Sequence, residues 1–80
     1  VLYRSLQQAA KVFKAGEAVS ASLKMAVEAE LASEPAIKPE YVELVHPNTL
    51  MPLDKVEEVG LLAIAARLGA TRLIDNILLK

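Results

Sequence analysis

The stretch Gly60–Lys80, GLLAIAARLGATRLIDNILLK, decides the fold. Its first half, Leu61, Leu62, Ala63, Ile64, Ala65, Ala66 and Leu68, suits a buried helix, since alanine is the best helix former. It suits equally a short strand buried on both faces, and an apolar run of this length does not choose between them. The second half tips the balance. Gly69-Ala70 interrupts the run, and Thr71 to Leu78 follows as an apolar segment of similar length. Two such runs about a glycine-containing break fit a β-hairpin, although Gly-Ala is a weaker turn signal than Asn-Gly.

With Gly69-Ala70 as the loop, Leu68 faces Thr71 and Arg67 faces Arg72, and alternation assigns the remaining side chains. One face carries Leu62, Ile64, Ala66, Leu68, Thr71, Leu73, Asp75 and Ile77; it is apolar except for Thr71 and Asp75 and is assigned to the core. The other carries Leu61, Ala63, Ala65, Arg67, Arg72, Ile74, Asn76 and Leu78, a small apolar surface with two arginines and an amide that is expected to meet a partner. A four-residue loop keeps these faces, whereas a three-residue loop flips one strand against the other.

Upstream, the pattern is helical. Leu2, Leu6, Ala9, Ala10 and Phe13 make one stripe of a helix over residues 2–15, with Gly16 as C-cap and Lys11 and Lys14 at the negative end of its dipole. A second helix is expected from Glu17 or Ala18 to residue 33, with Val19, Leu23, Ala26, Val27 and Leu31 as its apolar face and Pro35 as its stop. The short connection makes the pair an antiparallel αα-hairpin. Residues 35–39 then form a linker, and residues 40–46 a strand with Val42 and Leu44 toward the helices and Tyr41 and Glu43 on the face of the arginines. Arginines directly opposite one another repel, so Glu43 is predicted to pair with Arg67 or Arg72. The segment from His46 to Pro52 is a turn-rich loop, because its two prolines exclude helix and central strand. Residues 53–59 fit one helical turn capped by Asp54, or, preferred, an irregular connection with Val56 and Val59 tucked in. The expected class is α+β: two helices packed on strands over residues 40–46, 60–68 and 71–78, with the neighbour of the 40–46 strand left open by the sequence.

Composition narrows the function. Eighty residues make one domain near the lower limit of independent folding. With 54% hydrophobic residues and three aromatics, the core must be aliphatic. A net charge of −1 gives no footprint for nucleic acid or an anionic membrane. There is no cysteine, hence no disulfide framework and no thiolate metal site, which fits a cytoplasmic protein. No apolar run is long enough to span a bilayer, and no signal peptide is found. The chain opens without Met in a helix-like segment and reads as a piece of something longer.

The string from Leu62 to Ile77, with its AAR-x-G-x-TRLIDN pattern, closely resembles the C-terminal end of the pantoate–β-alanine ligases (pantothenate synthetases). Leu2-Tyr3-Arg4-Ser5-Leu6, Tyr41-Val42-Glu43-Leu44-Val45 and Asn48-Thr49-Leu50-Met51-Pro52 resemble the same family in the same order, so the likeness spans nearly the whole chain. It implies a three-stranded antiparallel sheet with two helices, ending in a β-hairpin, as the smaller domain of a two-domain enzyme that uses ATP and Mg2+ to join pantoate to β-alanine through a pantoyl adenylate. The family's nucleotide-binding histidine motif lies upstream on an N-terminal Rossmann-type domain, and its KMSKS-like loop just before this segment. Neither occurs here, so the resemblance transfers no catalytic residue, and the chain alone is expected to be an inactive lid. The competing reading is a free-standing protein-interaction module without a catalytic parent; in either case an exposed apolar face favours self-association.

Among candidate residues, Arg67, Arg72 and Asn76 are expected on the lid surface turned toward substrate; paired guanidiniums suit a triphosphate, but an ion pair of the arginines with Glu43 is the preferred reading of the two. Asp75 is expected to be structural, its carboxylate held by backbone N–H groups or Thr71, because a buried carboxylate without a partner is costly. His46, the single histidine, lacks the clustered partners a metal or catalytic role requires, and no metal site is expected.

Overall fold

The computed structural model describes residues 2–80. Two helices, α1 (Leu2–Lys14) and α2 (Ser20–Ala32), precede three strands, β1 (Ile37–Val45), β2 (Gly60–Leu68) and β3 (Thr71–Leu79), in one antiparallel sheet of order β1-β2-β3. The α+β expectation is met. The helices pack on each other and lie on one face of the sheet, α2 against β1 and α1 against β3. The central strand β2 therefore contributes the floor of the core, with Leu62, Ile64 and Ala66 fully buried.

The hairpin register agrees with the sequence throughout: Leu68 pairs with Thr71, Arg67 with Arg72, and the alternation continues to Gly60 with Leu79. Gly69 takes φ 62 while Ala70 stays in the ordinary negative region, the pattern of a type II′ turn with glycine first. This turn matches the right-handed twist of the strands, which is why Gly-Ala serves where Asn-Gly is the stronger signal. The inward face is less completely covered than alternation suggests. Leu68 and Thr71 sit beyond the helices and are exposed, and Leu73, Asp75 and Ile77 are half-buried.

Helix α1 buries Leu2, Ser5, Leu6 and Ala9. The Ser5 hydroxyl donates to the Leu2 carbonyl at 2.7 Å, so this buried polar group is satisfied within its own helix. The C-terminus closes as a Schellman motif, the Gly16 amide donating to the Phe13 carbonyl and the Glu17 amide to that of Val12. Helix α2 buries Leu23, Val27 and Leu31. With Leu6 of α1 these close a core contained within the chain; each such aliphatic side chain contributes roughly 1.5–3 kcal/mol on burial.

Two boundaries differ from expectation, and each has a local cause. Helix α2 starts at Ser20 rather than 17 or 18, because residues 18–20 run extended beside the 54–56 segment. The Ser20 amide donates to the Asp54 carbonyl, the Val56 amide to the Ala18 carbonyl, and Val19 bridges to Lys55. Val19 is consequently exposed rather than part of the helix's apolar face, and Glu17 accepts from the Val19 amide ahead of the helix. Strand β1 begins at Ile37, so Pro39 lies inside a strand and the linker is shorter than 35–39; proline is tolerated because β1 is an edge strand. Residues 53–59 hold no helical turn, and Val56 is buried with Val59 half-buried, as the irregular alternative has it. The loop after β1 closes with a Val45–Pro52 bridge and places Leu50 at φ 59.

Candidate functional site

The sheet face away from the helices carries the residues singled out in the sequence. Its cross-strand rows run from the hairpin end as Lys38, Arg67 and Arg72; Tyr41, Ala65 and Ile74; Glu43, Ala63 and Asn76; Val45, Leu61 and Leu78. Ile74 and Leu78 are 60% and 49% exposed on this face. Ala65, between the larger Tyr41 and Ile74, is buried although it points away from the core.

The carboxylate that joins the arginines is Glu40, not Glu43. Arg67 donates through Nε to Oε2 of Glu40 at 2.7 Å, and Arg72 donates through Nε to Oε1 at the same distance. Strict alternation would turn Glu40 toward the helices. The register shifts between Pro39 and Tyr41, leaving Glu40 as the extra residue of a β-bulge, and a bulge re-aims its side chain onto the outward face. Glu43 lies opposite Ala63, four residues along β2 from Arg67, about 13 Å at strand rise and out of reach. Pro39 was the available signal, since a proline inside an edge strand often marks a bulge. The Arg72 guanidinium, then that of Arg67, holds the Glu40 carboxyl below the usual glutamate range, and Glu40 in turn raises the pKa of Arg72.

Asn76 is exposed on the outward face, two rows from the arginines. Asp75, half-buried opposite Ile64, accepts from the backbone amide of Asn76 at 2.8 Å; a backbone donor, not Thr71, takes the carboxylate. His46 is a loop residue whose Nδ1 accepts from the Asn48 amide. It lines a groove of about 700 Å3 with Val19, Leu53, Asp54, Lys55 and Glu58, at the opposite end of the sheet from the arginines. Among the described residues no group of three or more His, Asp or Glu is placed to hold a metal ion. No helix among the described residues is long and apolar enough to cross a membrane.

Fold and face together define a small α+β domain with one sheet face left open and a cationic cluster at its hairpin end. The chain belongs to the pantoate–β-alanine ligase family, whose model matches residues 1–78. It is 59% identical over its whole length to the bifunctional pantoate ligase/cytidylate kinase of Trichormus variabilis and 46% identical to that of Trichodesmium erythraeum. It spans only 15% and 16% of those proteins' lengths. The crystal structure of pantothenate synthetase from Thermus thermophilus matches with a TM-score of 0.86 at 36% identity, over 95% of this chain and 27% of that one.

Proposed function

We propose that this chain is the C-terminal lid domain of a cytoplasmic ATP-dependent ligase that condenses pantoate with β-alanine to pantothenate. The reaction passes through a pantoyl adenylate on an N-terminal Rossmann-type domain of the same polypeptide. ATP, pantoate, β-alanine and Mg2+ are bound by that larger body, the chain contributes no catalytic group, and alone it is inactive. The observation that carries this reading is the family match along the whole chain against so small a share of its relatives.

The physical role is exclusion of water. An acyl adenylate is hydrolysed when solvent reaches it, so a site that runs two half-reactions gains from a cover. A small domain with its own core moves as one piece, and such closures run on roughly microsecond-to-millisecond timescales. The face turned toward the catalytic body is the outward sheet face with Arg67, Arg72 and Asn76, where the exposed Ile74 and Leu78 would also be covered.

In the full-length enzyme, Arg72→Gln is expected to lower the pantothenate formed per ATP consumed, because a looser cover admits water to the adenylate. The ratio is read by measuring pyrophosphate and pantothenate in the same reaction. A ratio equal to that of the unsubstituted enzyme rejects the lid surface, and failure of the full-length gene to restore growth of cells unable to make pantothenate rejects the activity.

A further inference from the structure

Three cations stand side by side across the sheet. Lys38 on β1 is opposite Arg67 on β2, and Arg67 is opposite Arg72 on β3, so one complete row at the hairpin end is positive. Like charges directly opposite one another destabilise a sheet. Glu40 is the carboxylate that offsets them, and it reaches only the two arginines. Lys38 makes no ion pair among the described residues. Three cations and one carboxylate leave a local surplus of two positive charges in a chain whose net charge is −1.

The geometry of the surplus selects its ligand. Glu40 engages each arginine through Nε, which fixes both guanidiniums and leaves their terminal Nη groups without a protein partner among the described residues. The arginine side chains are about half exposed. Two interstrand spacings of about 4.8 Å give the row a span of about 10 Å. A lone carboxylate covers part of that span. Linked phosphates present oxygens along all of it, and planar guanidiniums pair with phosphate through two parallel N–H groups. We propose that Lys38, Arg67 and Arg72 form a binding row for a soluble polyphosphate of at least three linked phosphates, with Glu40 as the positioning residue. Binding is read on the chain alone and coupling on the full-length enzyme, so this site and the lid reading stand or fall separately.

The test is titration of the 15N-labelled chain with inorganic triphosphate, followed by amide and arginine side-chain shifts; a dispersed starting spectrum verifies the fold. Saturable shifts confined to the row are expected in the millimolar range, weakening with salt as exposed charge pairs do. Lys38→Ala should weaken binding several-fold, and so should Arg72→Lys, which keeps the charge and removes the fork. Orthophosphate should bind more weakly than triphosphate. Parallel titrations with a polyglutamate peptide and with phosphatidylcholine vesicles containing phosphatidic acid separate the other anions. Absent or scattered shifts with triphosphate, affinity unchanged in both variants, or tighter binding of the peptide or the vesicles would each overturn the proposal.

Discussion

Glu40 shows what a single residue decides on this face. Its carboxylate sits between two arginines that the hairpin register forces together, and they depress its pKa. A carboxyl depressed in the folded state contributes stability that is fully present above its unfolded pKa, about 4.3, and lost as pH falls through the folded value. Glu40→Gln removes that contribution and leaves Arg67 facing Arg72 uncompensated. The variant should therefore be less stable than the parent at pH 7, with the gap narrowing below about pH 4 as the parent's carboxyl protonates. Urea denaturation at both pH values checks this, and a gap that is constant or widens in acid rejects it. That some carboxylate must answer the arginine pair was legible, because the hairpin register alone creates the repulsion. Which carboxylate was not legible from alternation, because one bulged residue changes the face of everything before it, and only Pro39 marked where the bulge falls.

At the scale of elements, α1 was legible from its apolar stripe, α2 from its bounds at Gly16 and Pro35, and the hairpin from the Gly69-Ala70 break between two apolar runs of similar length. Their faces emerged largely as assigned. The two misplaced starts lie where backbone pairing between distant segments overrode local preference: residues 18–20 beside 54–56, and Ile37 to Pro39 recruited to the sheet edge by Ala66 to Leu68. The beginning of β2 is constrained from outside the strand as well. A Cβ on Gly60 would lie 2.9 Å from Cγ2 of Val56 and 3.0 Å from Cδ1 of Leu44, both buried. Val56 is β-branched and has little rotamer freedom to yield. Overpacking of this kind costs about 1–3 kcal/mol, while replacing glycine by alanine returns only about 0.4–1 kcal/mol by restricting the unfolded chain. Gly60→Ala should thus lose about 1–2 kcal/mol, seen as a lower urea midpoint at unchanged slope. Pairing it with Val56→Ala, which makes room, should cost less than the two single losses added; full additivity would show that the contact is not the cause.

For the whole molecule, the asymmetry between the two sheet faces has a direct consequence. The helices cover one face and leave Ile74 and Leu78 exposed on the other, flanked by the Tyr41 ring at 37% exposure. That this face would be apolar and open was readable from the strand alternation. How far its apolar part stands apart from the charges was not, since that depends on β1 pairing with β2 and on the bulge that draws Glu40 to the arginines. Cations gather at the hairpin end, while the rows toward the opposite end carry the exposed aliphatics. An open apolar patch on an isolated domain drives association, so the chain alone should self-associate with rising concentration in sedimentation velocity. Ile74→Thr with Leu78→Thr keeps strand propensity while removing apolar area, and exposed positions of this kind change stability by about 0.5 kcal/mol or less. The doubly substituted chain should sediment as a monomer over the range in which the parent associates. A parent that stays monomeric, or a variant that associates equally well, would mean that the patch is not sticky enough to need a cover. The need for a second body over this face would then rest on Arg67, Arg72 and Asn76 alone.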